Sequence, residues 1–124
     1  MPEQNKIVLY TTESGNVSVD VYFENETFWL TQKSMAELFD CTADNISLHL
    51  KNIYAENELN VHSTAEKFSV VRREGERDVR REVTFYNLDA IIAVGYRVNS
   101  KRATRFRQWA TQLEEVYHQR LCAQ

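Results

Sequence analysis

Apolar positions along this chain follow two different rhythms, and the switches between them mark out its elements. Between Leu30 and Asn60 the spacing is helical. Met35, Ala36, Leu38 and Phe39 recur every three or four residues, and Ile46, Leu50 and Ile53 follow at i, i+4 and i+7. Thr31 is placed to cap the first of these helices and Thr42 the second. Between them the chain turns through Asp40 and Cys41, where a left-handed backbone is expected, and Asp tolerates that conformation better than most residues. Two short helices joined this tightly, with small Ala36 where they cross, read as a helix-turn-helix over residues 31–54. A plain helical hairpin in a core is the competing reading.

Before this stretch the rhythm is that of strands. Lys6 to Thr11 and Val17 to Phe23 are β-prone, with Ser14-Gly15-Asn16 as the turn between them. In the second, Val17, Val19, Val21 and Phe23 alternate with Ser18, Asp20 and Tyr22, so one side is buried and the other wet. A turn at Glu24-Asn25-Glu26 leads to a third strand, Thr27 to Leu30, in which Trp29 is expected to anchor the following helix on the sheet. Residues 56 to 66 are polar and mixed and read as a loop with at most one helical turn. Phe68 to Arg72 and Arg80 to Tyr86 then flank a charged tip at Gly75, the pattern of a β-hairpin over 68–86.

After the hairpin the helical period returns. Asn87 can cap an almost wholly apolar helix, Leu88 to Val94, ending near Gly95. Asn99 or Ser100 is placed to cap a long last helix in which Ala103, Phe106, Trp109, Ala110, Leu113, Val116, Tyr117 and Leu121 form one stripe. Simple core packing accounts for the first half of that stripe. The second half suggests a homodimer seam or a missing further domain.

These elements imply an α+β fold. An N-terminal β-hairpin or small sheet precedes a winged helix-turn-helix-like core, with an Arg-rich hairpin as the wing and a long C-terminal helix. All 124 residues fit one compact domain.

Charge changes this picture more than composition does. The net charge of −3 hides a split: residues 1–66 hold three Lys and no Arg against eleven acids, whereas residues 67–124 hold twelve bases against seven acids. Because fields are screened over roughly 8 to 10 Å, a phosphate backbone senses the local balance and not the total. The hairpin carries Arg72, Arg73, Arg77, Arg80 and Arg81, offset by Glu74, Glu76, Asp78 and Glu82. These charges either meet DNA phosphates or pair across the strands. From Asp89 to Glu114 no acid intervenes, while Arg97, Lys101, Arg102, Arg105 and Arg107 all fall between. Arg97 and Lys101 are expected at a helix start, where the macrodipole disfavours cations unless an anionic partner or acids from the N-terminal half relieve them.

Double-stranded DNA is therefore the expected partner. On the second helix Asn45, Ser47, Leu48, Lys51 and Asn52 project away from the inward trio. Asn45 suits adenine, Ser47 a base edge or phosphate, and Lys51 a phosphate. Lys101, Arg102 and Arg105 of the last helix join the hairpin arginines as candidate phosphate contacts. Asp44, on the same side, weakens the case. His49 lies between the two sides and is read as a packed residue. An interaction or oligomerisation module, with the last helix as its working surface, is the alternative.

No catalytic constellation or phosphate-cradling Gly loop is present, and Cys41, Cys122, His49, His62 and His118 lack metal spacing, so neither enzyme activity nor a cofactor is expected. No apolar run suits a signal peptide or a membrane span, and the expected location is cytoplasmic.

The run YNLDAIIAVGYRVNSKRATRFRQWAT, Tyr86 to Thr111, closely resembles the bacterial RhuM family, named for a virulence-associated protein, as does WLTQKSMAELF, Trp29 to Phe39. More distantly, Arg97-x-x-Ser100 with Ala103, Phe106 and Trp109 looks like the Bro-N and KilA-N domains of phage antirepressors. The RhuM likeness implies a short form or the N-terminal module of a longer protein linked to virulence loci, and the Bro-N and KilA-N likeness implies a DNA-binding module. With the helix-turn-helix, the expected role is transcriptional control of a virulence or mobile-element locus. The RhuM likeness brings no catalytic residues to this chain.

Overall fold

The computed structural model describes residues 6–12, 15, 17–98 and 101–122, and the side chains of these except 6, 114 and 116–122. Three strands open the chain: β1 (Lys6–Thr11), β2 (Ser18–Glu24) and β3 (Thr27–Thr31). Helices α1 (Gln32–Phe39), α2 (Ala43–Ala55) and the single turn α3 (Val61–Thr64) follow. The hairpin is β4 (Ala65–Glu74) and β5 (Arg77–Asn87), and α4 (Leu88–Val98) and α5 (Lys101–Cys122) complete the order.

Turn chemistry sets the strand connections. Asn25 and Glu26 have φ of 53° and 63°, the left-handed pair that matches the twist of a two-residue hairpin between β2 and β3. Gly15, at φ 78°, serves the β1–β2 connection, where its N–H donates to the Thr12 carbonyl at 2.8 Å. The rest of that expected turn, Ser14 and Asn16, lies outside the described residues. Gly75, at φ 64°, opens the β4–β5 connection.

The N-terminal strands and the Arg-rich hairpin form one antiparallel sheet, ordered β1-β2-β3-β5-β4. The splice is short: Trp29, Leu30 and Thr31 pair with Asn87, Tyr86 and Phe85. Both hairpin strands extend past it, to a tip where Glu74 pairs with Arg77.

Strand alternation sends Val19, Val21, Phe28, Leu30 and Tyr86 into the main core with the helices. Trp29 alternates to the opposite face. There its ring meets Phe68 edge-on at 5.8 Å, Phe68 meets Phe85 at 5.5 Å, and Phe85 meets Tyr22 at 4.9 Å. Trp29 is buried, and its Nε1 donates to the Glu24 carbonyl at 2.8 Å. It thus closes a second aromatic cluster, apart from the core cluster in which Phe28 and Leu30 join Met35, Leu38 and Phe39 of α1.

Asn87 caps α4 as expected, its Oδ1 accepting from the Ala90 N–H at 3.2 Å. The helix does not stop at Gly95, however, but runs to Val98. Gly95 lies where α4 and α5 cross, and a Cβ added there would come 2.5 Å from the Ala103 Cβ. Close approach, and not a helix end, is what this glycine permits. In α5, Phe106 and Ala110 are buried, and Tyr10 packs on Phe106 and Trp109 with ring centroids 5.1 and 4.9 Å apart. The expected caps Asn99 and Ser100 lie outside the described residues. So do the side chains of Val116, Tyr117 and Leu121, on which the dimer seam was argued.

Candidate nucleic-acid interface

Each feature that shapes the helix pair is local. Thr31 Oγ1 accepts from the Ser34 N–H, and Thr42 Oγ1 from the Asn45 N–H, both at 3.1 Å. Between the two helices Asp40 holds the left-handed conformation, φ 56° and ψ 54°, and the Cys41 N–H reaches back to the Ala36 carbonyl at 3.0 Å. Three residues therefore suffice to end α1 and begin α2. Ile46, Leu50 and Ile53 enter the core against Met35, Leu38 and Phe39. That fixes the opposite side of α2 toward solvent, where Asp44, Asn45, Ser47, Leu48 and Lys51 are exposed while His49 and Asn52 are half-buried. Burial, helped by the neighbouring Asp40 charge, pushes the Cys41 thiol up, so this cysteine is the less reactive thiol form.

The base of α2 is clamped by Arg97. Its Nη2 donates to Glu56 at 3.1 Å and to Glu58 at 2.9 Å, just past the helix end. Contrary to expectation, Arg97 stands in the last turn of α4 and not at a helix start, so the macrodipole favours it there. Acids of the N-terminal half do take up this cation. It is a structural strut rather than a free charge.

On the hairpin, cross-strand pairing and free charge coexist. Arg81 lies 2.9 Å from Glu74, Arg73 3.4 Å from Asp78, and Lys67 3.9 Å from Glu82. The hydrogen bond from Arg81 holds the Glu74 carboxyl below the usual carboxylate range. Arg72, Arg77 and Arg80 have no ion pair among the described residues. Arg72 borders a polar cleft of about 310 Å³ that opens where β3 ends, shared with Asp20 and Tyr22 of β2 and Lys33, Ser34 and Glu37 of α1. Burial, then the Asp20 charge, raises the Tyr22 phenol, and Arg72 acts against both.

The third cationic element is the start of α5. Arg102 Nη1 lies 3.4 Å from both the Glu37 and the Leu38 carbonyls, so it satisfies the open C-terminal end of α1 directly beside the turn. Lys101 and Arg105 are exposed near it.

The fold thus sets the basic start of α5 against the end of α1 through Arg102, beside the turn that leads into α2. The hairpin packs on α1, α3 and α4 and touches α2 at most marginally, and of its arginines Arg72 borders α1 across the cleft. Sequence spacing did not single out Lys33, which becomes relevant only because β3 ends beside it.

A capped helix pair standing on a five-stranded antiparallel sheet, with a basic hairpin at one edge, defines the class as α+β. Residues 63–121, from within α3 to near the end of α5, match the virulence protein RhuM family, which supports assigning the chain to that family. The match suggests a virulence-associated protein. The matched segment holds the hairpin, α4 and nearly all of α5, whereas α1 and α2 lie before it. No curated protein and no solved structure matches the chain, so the Bro-N and KilA-N resemblance gains nothing from these comparisons. Among the described residues no helix is long and apolar enough to cross a membrane, and no group of His, Cys, Asp and Glu is arranged to hold a metal ion.

Proposed function

We propose that this chain binds double-stranded DNA in a sequence-dependent way and acts in transcriptional control of a virulence or mobile-element locus. The observation that carries the reading is the helix pair. Its turn is held by Asp40, its second helix is buried on the Ile46–Leu50–Ile53 side, and its opposite side offers Asn45, Ser47 and Lys51 to solvent. In this reading α2 lies in the major groove, α1 crosses the backbone, and the hairpin acts as a wing along the flank. Arg72, Arg77, Arg80, Lys101 and Arg105 meet phosphates, with Arg73 and Arg81 joining by exchanging their acidic partners. Arg102 holds the turn and presents what remains of its guanidinium to the same strand.

The test is a mobility shift of genomic fragments with the full chain at low and moderate salt. Retarded complexes that survive competition by random duplex support the proposal. Absence of any complex at low salt refutes it, because the phosphate contribution is then at its largest.

A further inference from the structure

The outward side of α2 holds one residue that the fold does not use. Leu48 is 54% exposed, at the centre of that side, with Asp44 and Asn45 a turn before it and Lys51 and Asn52 a turn after. The core positions of this helix are filled by Ile46, Leu50 and Ile53, so packing makes no demand on Leu48. An isolated exposed leucine is ordinary on a protein surface. This one is flanked by an amide and a hydroxyl on a helix whose first two turns contain no cation.

The chemistry of those neighbours selects among base edges. Guanine presents two acceptors in the major groove and is met by a bidentate cation, which Ala43 to Leu50 do not supply. Asp44 adds an acceptor of its own, and acceptor against acceptor repels. Adenine presents one acceptor and one donor, the complement of the Asn45 amide. Thymine presents the groove's apolar group, its 5-methyl, which is the natural contact for the Leu48 side chain. Lys51, a turn further along, falls toward the sugar–phosphate because reading helices touch bases mainly through their N-terminal residues.

Resting on the DNA-binding reading above, we infer that α2 is a reader of A·T pairs, with Asn45 on an adenine and Leu48 on the methyl group of a neighbouring thymine. Specificity then resides in the helix pair, while the arginines of the hairpin supply affinity without sequence preference.

Selection of bound duplexes from a short randomised pool is followed by anisotropy titrations on the enriched duplex, on the same duplex with deoxyuracil for thymine, and on one with 7-deazaadenine for adenine. Enrichment of A·T positions is expected. Loss of the thymine methyl weakens binding by about four-fold, the worth of one buried methyl-sized group. Leu48→Ala removes that difference while still binding the uracil duplex, and Asn45→Ala removes the response to 7-deazaadenine. Because deoxyuracil leaves the minor groove unchanged, an arginine reading a narrow A·T minor groove gives no such difference. Circular dichroism of both variants confirms the fold, which exposed substitutions leave intact. Enrichment of G·C positions, no enrichment, or equal affinity for thymine and uracil duplexes overturns the inference while salt-dependent duplex binding keeps the DNA-binding reading. A chain that retains no duplex from the pool loses both.

Discussion

Exchanging one methyl group across the α4–α5 crossing tests how the basic start of α5 is held against the helix pair. A Cβ on Gly95 comes 2.5 Å from the Ala103 Cβ, whereas its next neighbours, Phe39 Cζ at 3.5 Å and Ala103 Cα at 3.6 Å, are at ordinary contact distance. The conflict in Gly95→Ala is therefore with a single methyl. Relieving it requires α5 to back away by on the order of 1 Å. Overpacking of this kind costs about 1 to 3 kcal/mol, and the better helix propensity of Ala returns about 1 kcal/mol, leaving a net loss of about 0 to 2 kcal/mol. That range alone decides little. Ala103→Gly, which loses a half-buried methyl and some propensity, costs about 1 kcal/mol. In the double variant the methyl has merely changed helices and the propensity changes nearly cancel. Its stability should return close to that of the parent, giving a favourable coupling of at least about 1 kcal/mol in urea unfolding with unchanged m values. The same displacement draws Arg102 off the Glu37 and Leu38 carbonyls, so Gly95→Ala should also weaken any complex that depends on the α5 start. Additivity of the two substitutions within about 0.5 kcal/mol refutes the close crossing.

Three further outcomes follow from the charges, the turn and the buried phenols. If about five cations meet phosphates, log K should fall with log salt at a slope near −4 to −5, and Arg77→Ala or Arg80→Ala should each reduce that slope by about 1; a flat profile removes the proposed interface. Asp40→Ala should cost about 1 kcal/mol in urea unfolding, because it keeps a Cβ in a left-handed conformation while removing Asp's polar compensation, whereas Asp40→Gly should be neutral or stabilising; the reverse order contradicts the turn. The Tyr54 phenol is raised above the ordinary value by burial, partly offset by its 2.9 Å hydrogen bond to Thr64. A raised group contributes stability that is complete below the unfolded value and is lost as pH rises through the folded one. Unfolding free energy should therefore decline above about pH 10, less steeply in Tyr54→Phe, and an identical alkaline slope in that variant excludes Tyr54 as the cause.

Local signals were readable from the residues and non-local ones were not. Thr31, Thr42 and Asn87 each bond an amide three residues on, so their capping roles depend on nothing outside one turn. The strand periods were equally local, and the order of elements came with them. The β3–β5 splice was hidden because Trp29–Thr31 and Phe85–Asn87 are far apart in sequence, and alternation alone cannot say which strand becomes a neighbour. The same gap misplaced Trp29. Its apolar character fits either face, and only the pairing of Trp29 with Asn87, beside Phe85 and Phe68, puts it on the outer one. Gly95 misled for the opposite reason: a glycine near the end of an apolar run matches a helix stop, and the crossing partner Ala103 belongs to another helix.

The segregation of charge along the chain was the strongest hint of an anionic partner, and the structure divides it into two parts. Arg97 is bound by Glu56 and Glu58, Arg102 by backbone carbonyls, and Arg73 and Arg81 by acids of their own hairpin. These charges serve the fold as found, and exposed pairs of this kind contribute only about 0 to 1 kcal/mol each, so a phosphate can displace the acids on the hairpin at little cost. Arg97 differs, being more enclosed and holding two acids at once across α2 and α4. Replacing it should therefore loosen the base of α2 and lower stability, with the salt slope of DNA binding unchanged. Arg80→Ala should do the converse. A variant pair that changed stability and slope together at both positions would mean that the chain does not separate its structural cations from its binding ones, and the assignment of Arg72, Arg77 and Arg80 to the duplex would lose its basis.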